Sequence, residues 1–86
     1  MIFDGKRSEM EILSEMLNAT QNGIKKTQLM FHTKLSYNHF TDYLDFLLEK
    51  KFVELNEDNS KGKIYRSTEE GNSFLNEINS VLEYIK

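Results

Sequence analysis

The chain has no cysteine, so no disulfide staples it and no thiolate can hold zinc. Its two histidines, His32 and His39, are too few for a histidine-rich metal site. No apolar run comes near the roughly 18 residues of a membrane-spanning helix. The opening "MIFDGKRSEM" lacks the apolar centre of a secretory signal. An excess of base is missing too: 11 Lys and Arg stand against 14 Asp and Glu, a formal charge of −3. A protein that coats nucleic acid by bulk charge alone would be basic. There is no glycine-rich phosphate loop, and no serine has a plausible His–Asp relay. We therefore expect no enzyme, no cofactor, no metal, no small-molecule ligand and no membrane partner. Zero cysteine fits a reducing cytoplasm.

What is present fits one domain of 86 residues. A chain this short buries a smaller share of its surface than a large one. Self-association is the stabilising device left open. Residues 8–20 place Met10, Leu13, Met16 and Leu17 on one helical stripe, with Ile12 beside it. Ser8 and Glu11 have capping-box spacing, and Gly23 supplies the stop. Ile24 is a candidate for a one- or two-residue strand. Lys26 to His32 reads as a short helix with Leu29 and Met30 inward. His32 is expected to be partly buried or capping. After a brief turn, Ser36 caps a helix from about Tyr37 to Lys50. Its core stripe is Phe40, Leu44, Leu47 and Leu48, with Tyr43 flanking. Asn38, His39, Asp42, Asp45 and Glu49 face the other way, and Phe46 sits oddly among them.

"FVEL" (52–55) alternates apolar and polar residues and runs into "NEDNSKG", a loop of turn formers. "KIYRS" (63–67) alternates again, giving a hairpin with Tyr65 packed beneath it. Thr68, or Ser67 with Glu70, caps a last helix in which Gly71 allows close approach to a neighbour. The two middle helices form a helix-turn-helix, and the hairpin is its wing. The fold class expected is α+β, mostly helical: a winged helix-turn-helix over 1–68 with a C-terminal helix over 69–86. In that last helix Phe74 and Leu75 are expected on the domain. Ile78, Val81, Leu82 and Ile85 follow the spacing of a coiled-coil seam and are expected to meet a second copy, where Phe46 can also reach.

"KRSEMEILSEML", "GIKKTQLM", "LSYNHFTDYLDFLLEKKFVEL" and "GKIYRSTEEGNSFL" stand in that order with almost no gaps. Together they resemble the archaeal winged helix-turn-helix proteins that include the ten-kilodalton crenarchaeal DNA-binding proteins. The resemblance covers about residues 6–82. It implies double-stranded DNA as partner and a homodimer formed through the last helix. One departure stands out. Asn38, Thr41 and Asp42 occupy places where Lys or Gln is usual.

A DNA binder of this fold uses three surfaces. The start of the reading helix offers Ser36, Tyr37, Asn38 and His39 to base edges or phosphate. Lys25, Lys26, Thr27 and Lys34 surround the preceding helix, whose N-terminus attracts anions. Lys61, Lys63 and Arg66 lie on the wing, and Lys6 and Arg7 precede the first helix. The expected function is a dimeric transcriptional regulator in the cytoplasm, nucleoid-associated when bound. The alternative is a winged-helix module that binds protein, with weak or no DNA binding. The acidic balance and Asp42 support that alternative.

Overall fold

A computed structural model describes residues 8–85. Helix α1 spans Glu9–Ala19. Its start is the expected capping box. The Glu11 amide donates to Ser8 Oγ at 3.1 Å, and the Ser8 amide donates to Glu11 Oε1 at 3.0 Å. Two orphan donors are thus satisfied reciprocally. At the other end the buried Thr20 hydroxyl donates to the Met16 and Leu17 carbonyls. Gly23, at φ +85°, then turns the chain. Ile24 makes a single β-bridge, exchanging both backbone bonds with Tyr65 at 3.0 and 2.8 Å.

Helix α2 is Lys26–Thr33 and helix α3 is Tyr37–Glu49. Between them Lys34 takes the left-handed conformation, φ 57°, and donates its amide to the Met30 carbonyl. The buried Thr33 hydroxyl donates to Met30 and accepts from the Leu35 amide, which fixes the turn. Ser36 caps α3, accepting from the His39 amide at 3.4 Å.

Strand β1 is Val53–Asp58 and strand β2 is Gly62–Ser67. They pair antiparallel from Val53 opposite Ser67 to Asp58 opposite Gly62. β1 is longer than the sequence pattern suggests. Asn56, Glu57 and Asp58 have the composition of a loop, yet they continue the ladder. The tip is tightened by Asp58, whose carboxylate accepts from the Ser60 amide, the Ser60 hydroxyl and the Lys61 amide at 2.8, 2.7 and 3.0 Å. An Asx turn so well supplied with donors lets poor strand formers pair up to its edge.

Helix α4 runs Glu69–Ile85. Thr68, not Ser67, is its cap, accepting from the Gly71 amide at 3.0 Å and donating to the Lys51 carbonyl. Gly71 is needed for space. A Cβ there would overlap the Phe52 carbonyl oxygen.

The three N-terminal helices, β1 and α4 enclose one core. Met16, Leu17, Leu29, Phe40 and Leu47 are fully buried, joined by Leu44, Val53, Leu75 and Ile78. Each such side chain contributes about 2 kcal/mol by leaving water. α4 packs on α1, and Ser14 Oγ donates to Asn79 Oδ1 across that seam. Two expectations change here. Ile78 is only 2% exposed and belongs to this core, so it cannot also face a second copy. His32, expected partly buried or capping, is exposed in the last turn of α2. Phe46 leans on an aromatic pair. Its ring meets Phe52 edge-on at 6.2 Å and Phe74 at 6.4 Å, and those two stack at 4.4 Å.

Candidate nucleic-acid interface

The turn between α2 and α3 brings the starts of both helices together. Lys26 Nζ lies 5.6 Å from the centre of the Tyr37 ring, a cation–π contact across the motif. Lys25 precedes α2 in extended conformation, and no side chain caps the helix. Its first amides therefore remain open to an anion. Lys25, Lys26, Thr27 and Lys34 are all exposed, as are Ser36, Tyr37 and Asn38. Thr27 borders a shallow hollow with Ile24, Gln28, Phe31 and His32. The Ser36 hydroxyl is partly spent on its capping bond.

Sequence and geometry combine in one feature here. From residue 16 to residue 41 there are three lysines and no Asp or Glu. That acid-free stretch contains α2, the turn and the first turn of α3. Beyond it the sign reverses. Asn38, Asp42, Asp45 and Glu49 recur every third or fourth residue, directly opposite Phe40, Leu44 and Leu47. All four are exposed. The outermost ridge of α3 thus carries one amide followed by three carboxylates.

His39 parts company with Tyr37. It lines a groove between α1 and α3 together with Glu9, Leu13, Asp42, Tyr43 and Phe46. Of the four reading-helix candidates, then, Ser36 caps the helix, Tyr37 meets α2 through Lys26, Asn38 stands on the outer ridge, and His39 faces α1.

The wing splits its bases as well. Lys61 is exposed at the tip, where its amide donates to Asp58. Asp58 is held below the ordinary carboxylate value, first by the Ser60 hydroxyl, then by the Ser60 and Lys61 amides. Lys63 stands in register with Glu57, and Arg66 with Glu54. Arg66 is half-buried at the wing root. A Cβ at Gly23 would come within 2.9 Å of its guanidinium. Tyr65 is half-buried against the core, as expected. Lys6 and Arg7 lie outside the described residues. Among the described residues no cluster of His, Asp or Glu could hold a metal, and no helix is long and apolar enough to cross a membrane.

Residues 6–86 match the profile of the winged helix-turn-helix family. The chain is similar to the uncharacterized protein MJ0287 of Methanocaldococcus jannaschii, at 33% identity over 54 residues. That match takes in 62% of this chain and 56% of the relative. A second protein of the same organism, MJ0290, is 30% identical over 93% of this chain, yet the chain spans only 36% of its length. The backbone superposes on Sso10a-2, described as a DNA-binding protein from Sulfolobus solfataricus, with a TM-score of 0.78. The two are 24% identical, and the match covers 91% of this chain and 81% of the other. The transcriptional regulator PcaV of Streptomyces coelicolor gives a TM-score of 0.63 at 16% identity, over all of this chain and 67% of its own.

Proposed function

Because this chain belongs to the winged helix-turn-helix family, we propose that it binds double-stranded DNA and acts as a dimeric regulator of transcription. The contact of Lys26 with the Tyr37 ring carries the reading. It joins the uncapped start of α2 to the start of α3 within a stretch free of carboxylates. A phosphate seated there meets helix amides and the Lys25 and Lys26 ammonium groups at once. Lys34 and Lys61 extend the contact along the backbone, while Lys63 and Arg66 each stand in register with a glutamate, Glu57 and Glu54. Asn38 supports base reading, being an exposed amide of the first turn, a group that can pair with adenine. The acidic ridge beyond it keeps the rest of α3 out of the groove. The helix end reads, and the helix length does not.

The likeness to a protein described as DNA-binding supports the partner, and the likeness to a named transcriptional regulator supports the role. For the dimer, Val81 and Ile85 are exposed and Leu82 is half-buried on the last turns of α4, beside Tyr84 at 92% exposure. Apolar side chains so placed suit a second copy of the helix.

Fluorescence anisotropy with a labelled duplex in rising salt tests the proposal. Affinity should fall steeply, log K against log salt having a slope of roughly −3 to −6 for a handful of phosphate contacts. Absence of binding to mixed duplex at low salt would overturn it. Light scattering should give twice the chain mass at micromolar concentration, and a monomer there would remove the dimer.

A further inference from the structure

The groove between α1 and α3 has no part in the proposed DNA contact. It holds about 460 Å³ and is floored by Leu13, Tyr43 and Phe46, with Glu9, His39 and Asp42 at its rim. Phe46 is 37% exposed on a side of α3 that should be polar. From its ring the apolar surface continues to the half-buried Phe52 and Phe74 at the foot of the hairpin. Asp42 at the rim begins the exposed ridge that continues through Asp45 to Glu49, about 10 Å from end to end.

Charge decides what can cover it. Nucleic acid and anionic membrane are repelled by the ridge and by Glu9. A second copy meeting this face through a two-fold axis would lay the ridge against itself. The apolar end of α4 that suits a dimer is elsewhere, since Ile85 lies eleven residues, about 16 Å, beyond Phe74. What remains is a cation with an apolar body. We infer that this groove docks a segment of a partner protein in which lysines or arginines flank an apolar anchor. The anchor enters between Leu13, Tyr43 and Phe46. The basic stems lie along the strip, and their heads reach Glu9, Asp42, Asp45 and Glu49. An amphipathic helix laid into a groove between two helices has this form.

The test titrates the full chain with a short synthetic helix of leucine and lysine, and with its twin carrying glutamate for lysine. Amide shifts locate binding and calorimetry measures it. The lysine helix should shift residues around Leu13, Tyr43 and Phe46, and the glutamate twin should not bind. Asp42→Lys with Asp45→Lys should weaken binding at least about tenfold, as loss of close charge pairs does. Phe46→Ser should weaken it too, by a factor that salt does not change. Glu77→Lys with Glu83→Lys on α4 should leave it as it was. Equal losses from the α4 pair would reduce the effect to general charge attraction and overturn the inference. So would shifts elsewhere, binding of the glutamate twin, or no binding at all. If Asp42→Lys with Asp45→Lys instead changes the oligomeric state, the face belongs to a second copy, and the inference fails. Circular dichroism checks that each variant folds, and Asp42→Asn with Asp45→Asn repeats the test without reversed charge.

Discussion

The start of α2 and the outer ridge of α3 belong to one helix-turn-helix and carry opposite charge. Lys25, Lys26 and Lys34 stand with no carboxylate in the surrounding stretch, while Asp42, Asp45 and Glu49 line the helix usually credited with reading. On the proposed reading, affinity and discrimination are separated: lysines near the motif's turn would draw in the phosphate, and only the first turn of α3 would approach a base. A net charge of −3 is no obstacle to that arrangement, because what a ligand meets is the local field.

Both regions depend on one frame, so the largest effect comes from breaking it. Gly71→Ala drives a methyl into the Phe52 carbonyl, a backbone atom that cannot step aside. It should cost about 3 kcal/mol of stability in urea unfolding, the upper range for overpacking. Next comes the basic side. Lys25→Glu with Lys26→Glu should lower duplex affinity by about tenfold or more and reduce the salt slope by about two, for every sequence alike. Asn38→Ala should change sequence preference instead, by about 1–3 kcal/mol at one base pair. If it acts uniformly, α3 does not read bases. Neutralising the ridge with Asp45→Asn and Glu49→Asn sharpens the contrast from the other side. Duplex affinity should rise only about twofold to threefold, since exposed charges are well screened.

The smallest effect is at the wing tip. The Asp58 carboxyl is lowered in the folded chain, so it stabilises the tip above its unfolded value, and this is lost as pH falls through its folded value. Protection of the Ser60 and Lys61 amides, measured against their intrinsic exchange at each pH, should fall in that acid range alone. Asp58→Asn should make that protection pH-independent there.

Much of this frame could be read from local sequence signals. The Ser8–Glu11 box, the Ser36 cap, the Ile24 bridge and the tight place at Gly71 are each fixed by one or two residues acting nearby. The acid-free stretch from 16 to 41 was equally open to reading, since it needs only the order of charges. Other features needed three dimensions. Asn56 to Asp58 look like loop until the Asx turn and the opposite strand hold them in register. Ile78 fits a seam by spacing, yet α1 covers it. His39 shares its sequence neighbourhood with Tyr37, but the helix carries it round to face Glu9 and Leu13. Phe46 is a misfit on the helical wheel, and its contact with the stacked pair of Phe52 and Phe74 forms only once the hairpin and α4 are in place.

Chemical-shift mapping of the whole chain with duplex DNA at low salt tests the division within the motif most directly. Shifts are expected at Lys25, Lys26, Lys34, Tyr37, Asn38 and the wing tip, with Asp45, Glu49 and the α1–α3 groove silent. Shifts running along the ridge from Asp42 to Glu49, or none at residues 25–38, would contradict it.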